Sequence, residues 1–275
     1  MNIWIFLLKL LDTKLSHTPE PYGAFHIVSC ILSLVLAVLL CVSYRKHGDQ
    51  DKVRKTVFVI SLIVLASELL KQINFSYSFT EAGGVVWDFQ WYAFPWQFCA
   101  MPMYVGILQG FIKKGKVHDA LCAFLATYAI FAGVCVMIYP ADVFTPTLFI
   151  CIQTMICHGT MFPVGTYLVY SGHVQTKHRT FLGAMAVFGV ALASAVLMNE
   201  LMYYSGWLGG ETFNMFFVSR HFDCTLPVYS AVHSSVPYPL NLIIYLLGFS
   251  AAAYLIFLAG MGIKKLAEKA KKQTV

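Results

Sequence analysis

Residues 24–43, "AFHIVSCILSLVLAVLLCVS", contain no Asp, Glu, Lys or Arg. About 20 such residues in a row is the length a helix needs to cross a bilayer. Six further apolar stretches follow, so seven crossings are expected, at roughly 24–43, 56–73, 94–112, 117–138, 147–169, 180–204 and 239–263. Composition agrees: 59% of the 275 residues are hydrophobic, 12% are charged and the mean hydropathy is +0.69. A soluble domain of this length would need a far larger charged fraction to cover its surface. The expected fold is all-α, a polytopic seven-transmembrane-helix bundle forming one domain over 1–275.

Ahead of the first span lies "MNIWIFLLKLLD", which is too short to cross and is interrupted by Lys9 and Asp12. No small-residue cleavage site follows it, so it reads as an interfacial helix lying along the membrane and not as a removed signal peptide. Basic residues give an orientation. Fifteen of the nineteen Lys and Arg fall in "SYRKHGDQDKVRK", "KKGK", "SGHVQTKHRT" and the tail "KKLAEKAKK", which would all lie on one side. Only Lys9, Lys14, Lys71 and Arg220 fall elsewhere. The amino terminus is therefore expected outside and the carboxyl terminus in the cytoplasm, in the cell membrane. The net charge of +6 is then a collar against acidic lipid, and a nucleic-acid partner is not expected.

Eight cysteines are present, of which only Cys224 lies clearly in a loop, so no disulfide framework is encoded. There is no CxxC and no zinc-type Cys/His spacing, and no metal or cofactor is expected. Of the two long outer loops, the first, "NFSYSFTEAGGVVWDFQWYAFPW", is rich in the aromatics that favour a membrane–water interface. The second, "SGWLGGETFNMFFVSRHFDCTLPVYSAVHSSVPYP", reads as a folded lid over the outer mouth, or as a hairpin that only seals the bundle.

Ionisable groups inside hydrocarbon cost a few kcal/mol or more and usually face the bundle interior. The candidates are His26 on the first span, Glu68, Lys71 and Gln72 on the second, and Gln97 with Cys99 on the third. His158 on the fifth span and Asn199 and Glu200 on the sixth complete the set. Counted from the basic ends at 1.5 Å per residue, Glu68, Lys71, Cys99 and His158 lie about 18–22 Å up, with Asn199 and His26 about 27–28 Å up. The polar set thus forms one layer in the outer half of the bilayer.

A thiolate is nucleophilic and a histidine is its usual base, so Cys99 and His158 on different helices suit acyl transfer to or from a lipid. Gln97 or Asn199 would donate to the developing oxyanion. Plainer readings stand beside this one. Glu68 and Lys71, three apart, can neutralise each other; His158 can be a satisfied interhelical hydrogen bond; Cys99 can be a small packing residue. A transporter would use the same layer, with Pro102 and Pro163 breaking the third and fifth spans. A retinal protein is excluded, because 239–263 holds no lysine.

Several segments together resemble one family. A His opens the first span in "FHIVSCILSLV" and the second span ends "ELLKQI". "FPWQFCAMPMYV" is similar to a Leu-Pro-x-His-x-Cys type segment, and "MICHGTMFPVGTYLV" carries a fifth-span His. "MNELMYYSGWLGGETFNMFF" and "SSVPYPLNLIIYLL" complete the pattern. The chain resembles the YwaF-type integral membrane proteins, related to transmembrane protein 164 of animals. The resemblance implies a seven-helix fold and, from the animal relatives, a cysteine-dependent acyltransferase acting on ether phospholipids. It implies Cys99 as the acyl-accepting nucleophile, His158 as its base or orienter, and Asn199 and Asn214 as supports. One departure is visible: Gln97 stands where the pattern has a His.

Overall fold

The computed structural model describes residues 3–140, 143–175 and 177–273, with backbone only at 47 and 263–273. The side chains of the five tail lysines in "KKLAEKAKK" therefore lie outside the described residues. The chain is 71% helical. In order the helices are α1 (Ile3–Leu11), α2 (Ala24–His47), α3 (Gln50–Phe75), α4 (Met101–Phe111), α5 (Lys116–Phe124), α6 (Ile130–Ile138), α7 (Leu148–Tyr170), α8 (His178–Ser205), α9 (Tyr229–His233) and α10 (Tyr238–Gln273). A π-helical segment, Leu125–Ala129, joins α5 to α6 in one continuous helix. Among the described residues six helices are long and apolar enough to cross a membrane: α2, α3, α5–α6, α7, α8 and α10.

The expected third span is shorter than 94–112. Helix begins with a 3-10 turn at Phe98–Ala100 and continues as α4 to Phe111. Proline explains the loss. Pro95 has no N–H to donate and holds Phe94 extended at φ −50°, ψ 133°, so the chain cannot be helical there. Pro102 does no such damage, because it sits in the first turn of α4, where a missing N–H costs nothing.

Pro163 lies inside α7 and does not end it. A proline orphans the carbonyl four residues earlier, here that of Gly159. Ser33 Oγ on α2 donates to that oxygen at 2.6 Å, which satisfies it and fastens α2 to α7. Two helices form the centre of the bundle: two-thirds of α7 and of α5–α6 is buried, against 17–28% of the other long helices. Beside them an aromatic column runs through Tyr128, Phe188, Tyr245 and Phe249, with Tyr128–Phe188 centroids 4.6 Å apart and Tyr245–Phe249 4.2 Å apart. Stacked rings of this kind add to their burial energy.

The outer connections are ordered. The first forms a hairpin, β1 (Tyr77–Phe79) against β2 (Val85–Trp87), with Tyr77 opposite Trp87. α1 is a nine-residue helix tied to this end of α3, as Asn74 Nδ2 donates to Leu11 O at 3.2 Å. The second connection is more than a cover over the mouth. Phe213, Met215, Phe216, Val218 and Ser219 are each fully buried, so residues 213–219 enter the bundle as a plug.

Candidate functional site

Cys99 sits in the single 3-10 turn that starts α4, just after the extended Gln97 (φ −76°, ψ 159°). Facing it is α7, whose Cys157 Sγ–H donates weakly to the Cys99 carbonyl at 3.7 Å. Both cysteines line a small cavity of about 20 Å³, with Ser61, Pro102, Met103 and Thr160 among its walls, room for a single water. Cys157 was not legible as a partner, although it is adjacent to His158. Successive residues on a helix face different sides, and it is Cys157 that points at Cys99.

The ion pair expected on α3 is present and more elaborate than a local pair. Lys71 Nζ lies 2.7 Å from Glu68 Oε1, and Gln72 Nε2 donates to the same oxygen at 2.9 Å. Gln153 Nε2 on α7 donates to Glu68 Oε2 at 2.9 Å. Gln72 also reaches Ala93 O at 2.7 Å, so the buried carboxylate is held from three directions and the group is tied to the chain ahead of α4. Burying a carboxylate is tolerable only with such pairing. Glu68 and Lys71 are the charges that act on Cys99, Cys157 and His158.

His158 is buried on α7, and its Nδ1 lies 2.9 Å from the Thr154 carbonyl. A carbonyl only accepts, so Nδ1 carries the hydrogen and Nε2 presents a lone pair. No described residue hydrogen-bonds Nε2, and no hydrogen bond joins His158 to Cys99. The imidazole is thus oriented by the backbone of its own helix, with its basic nitrogen unoccupied.

The amides do something different from donating to an oxyanion. Gln97 Nε2 donates to Asn214 O at 2.9 Å, while Gln97 Oε1 accepts from the Phe216 N–H at 2.9 Å. Asn199, fully buried on α8, binds Met215 from the other side: Nδ2 donates to its carbonyl at 3.0 Å and Oδ1 accepts from its N–H at 2.7 Å. Asn214 in turn accepts from Ser219 N–H at 2.9 Å and donates to Asp223 O at 3.1 Å. Non-helical backbone inside a bundle has no ladder to satisfy it, so these side chains stand in for one. They also hold Phe216 and Phe217 at φ 59° and 57°, a left-handed conformation rare for bulky residues. Gln97 is thus part of a clamp on the plug.

Two further candidates lie apart from Cys99. His26 is satisfied at both nitrogens: Tyr22 N–H donates to Nδ1 at 3.0 Å and Nε2–H donates to Met137 O at 3.0 Å, which latches α2 to the end of α6. Glu200 faces the outer loop, 2.6 Å from Arg220 and 3.2 Å from His221, whose ring stacks on Tyr203 at 3.6 Å. Hydrogen bonding to Glu200 raises the pKa of the Arg220 guanidinium further. Outside this pair, an open polar cavity of about 540 Å³ is lined by Gln97, Asn214, His221 and Asp223, among others.

A second Cys–His pair, absent from the sequence candidates, lies at the opposite end of the bundle. Cys122 Sγ is 3.7 Å from His118 Nε2 on the same helix, and the His173 ring lies 6.0 Å from that of His118. Its signal was the four-residue spacing, which puts both side chains on one helix face. Burial, and then His118, push the His173 imidazole below its ordinary pKa. Among the described residues no group of three or more His, Cys, Asp or Glu side chains is placed to hold a metal ion.

No curated protein and no solved structure matches the chain. A protein-family model does, over residues 21–261, from the turn before α2 to the last bilayer-length turns of α10 and so across every residue of the site. With nearly the whole described bundle inside that match, the chain is an integral membrane protein and belongs to the TMEM164 family.

Proposed function

We propose that the protein is a lipid acyltransferase or transacylase embedded in the cell membrane, with Cys99 as acyl acceptor and His158 as its base. The observation that carries this reading is a buried thiol at a helix start with a second thiol beside it, the Glu68–Lys71 ion pair acting on both, and, next to Cys157 on α7, an imidazole whose Nε2 no described residue hydrogen-bonds. In the first half-reaction His158 Nε2 takes the Cys99 proton and the sulfur attacks the ester carbonyl of a donor phospholipid. The tetrahedral intermediate collapses, the lysolipid oxygen leaves with the proton from His158, and a thioester remains. An acceptor hydroxyl then attacks the thioester, passes its proton to His158 and restores the thiol. Hydrogen bonds of this kind tighten on substrate binding, so a loose resting geometry is compatible with the step. Lys71 is the cation suited to the developing oxyanion, since Gln97 and Asn199 are committed to the plug.

In this reading the chain crosses seven times, with the amino terminus outside and the carboxyl terminus in the cytoplasm. α4 with its 3-10 turn spans about 21 Å, less than the ~30 Å hydrocarbon core, so the third crossing is completed by the non-helical 94–97. Irregular backbone at that depth is tolerated where protein covers it, as the plug does here. The test is acyl exchange between a labelled diacyl phospholipid and a lysophospholipid in vesicles. Exchange is expected with the natural protein and lost in Cys99→Ala; exchange that survives in Cys99→Ala overturns the enzyme.

A second reading is favoured by the polar outer cavity at Gln97, Asn214, His221 and Asp223: a binding protein or transporter for a small polar ligand, without catalysis. Transport that persists in Cys99→Ala and fails in Lys71→Ala supports it.

A further inference from the structure

α2 is the least buried of the long helices, and Ser33 fastens it to α7 at Gly159, with Tyr44 against Tyr167 and Tyr170 at the far end. Beside that contact runs an open groove of about 500 Å³, lined on α2 from Ala24 to Leu36 and on α7 from Ile152 to Thr160. Its walls include Val28 and Leu32, 53% and 62% exposed, on a face that no other helix covers.

The chemistry of the wall selects the occupant. Apart from backbone, its polar groups are the hydroxyls of Ser29, Ser33 and Thr160. Each already donates to a carbonyl: Ser29 to Phe25 O at 2.8 Å, Ser33 to Gly159 O at 2.6 Å, and Thr160 to Ile156 O at 2.8 Å. A polar ligand would therefore find no free donor, and the groove presents hydrocarbon alone. Length agrees as well. Ala24 to Leu36 rises about 18 Å along the helix, close to the ~15 Å occupied by one leaflet of a ~30 Å hydrocarbon core. The groove starts at the end of α2 opposite the basic loop, the same end at which Cys99 lies.

Thr160 is the joint. It lines this groove and also the small cavity lined by Cys99 and Cys157. On the side of residues 213–219 the chain ahead of Cys99 is held against a plug clamped by Gln97 and Asn199. The groove at Thr160 approaches from the bilayer side.

We infer that the α2–α7 groove is a binding site for the alkyl chain of a membrane lipid, which enters sideways from the bilayer and is brought past Thr160 toward Cys99. The approach to Cys99 rests on the acyltransfer reading; occupation of the groove does not.

The test uses the full chain in phosphatidylcholine vesicles doped with phosphatidylcholine carrying a photoactivatable group at the end of one acyl chain. After irradiation, labelled peptides are identified by mass spectrometry. Labelling is expected to concentrate on 24–36 and 152–160, well above the equally lipid-exposed Leu182, Val190 and Leu197 of α8. Filling the groove with Ser29→Phe or Leu32→Trp should reduce that labelling about tenfold and leave α8 unchanged. Leu39→Trp, on α2 outside the groove, should do neither and controls for folding. Even labelling over all lipid-facing helices, or groove labelling indifferent to both filling variants, overturns the site. Thioester formation on Cys99 separates the two readings. Groove labelling without any thioester supports the groove and removes acyl transfer; a thioester formed at the natural rate in both filling variants removes the groove as the route.

Discussion

The polar groups gathered toward the end of the bundle opposite the basic loops divide into two parts that spend their hydrogen bonds in opposite ways. On the α8 side Gln97, Asn199 and Asn214 present both amide ends to the backbone of 214–223. On the α7 side Glu68, Lys71, Gln72 and Gln153 satisfy one another, and His158, next in sequence to Cys157, has an Nε2 that no described residue hydrogen-bonds. The first part builds a wall and the second leaves chemistry available. Polar residues at one depth therefore do not make one site; what each amide or imidazole has left over after its own structural bonds decides its role.

The sharpest way to break this division compares two histidines at the same end of the bundle. His158→Gln should lower acyl transfer about 10²–10⁴-fold and abolish the rise of rate with pH, since it removes the base. His26→Gln should instead lower thermal stability and leave the pH profile intact, because both nitrogens of His26 are bound to backbone. Equal kinetic damage from both, read as pH–rate profiles, would erase the distinction.

Next in size are the clamp variants. Gln97→Leu or Asn199→Leu leaves a buried N–H and a carbonyl of the plug unpaired, at about 1–3 kcal/mol per group. Thermal melts in detergent should show both losses, and the double variant less than their sum, because one segment is released by either. A smaller effect is expected where α6 meets α7. A Cβ on Gly133 would lie 2.7 Å from Met161 Cβ and 2.8 Å from His158 O, so Gly133→Ala must push the helices apart at about 1–3 kcal/mol and disturb His158. The smallest belongs to Arg220→Ala. Its pair with Glu200 is at the exposed rim, and the slight loss of stability should vanish in high salt.

Much of the bundle was legible because apolar length is a local property. Three of the seven expected spans, 117–138, 147–169 and 180–204, recur within two residues at both ends, while α2 runs on four residues to His47, α3 starts six residues earlier at Gln50, and α10 runs on to Gln273. The exception, 94–112, carried its own warning in Pro95, but the reading weighed only Pro102. That the polar candidates fall toward one end of their helices was legible for the same reason, since helices convert sequence number into height. Partners were not. Glu68 and Gln153 are separated by 85 positions, and nothing in either neighbourhood announces the other. The plug was hidden for a related reason: its aromatic residues suit an interface as well as a core, and only the positions of Gln97 and Asn199 decide which. Gln97 reads from sequence as an oxyanion donor, and its backbone partners at Asn214 and Phe216 are 117 and 119 positions away.

The central claim concerns one sulfur. The full chain in vesicles is incubated with a phospholipid carrying a labelled acyl chain, quenched in acid, digested, and its peptides are analysed before and after hydroxylamine. The expected result is a hydroxylamine-labile acyl group on the Cys99 peptide, retained in Cys157→Ser, slowed to accumulate poorly in His158→Gln and absent in Cys99→Ala. Acyl exchange between lipids that proceeds with no thioester on Cys99, or label that persists after Cys99→Ala, would contradict it.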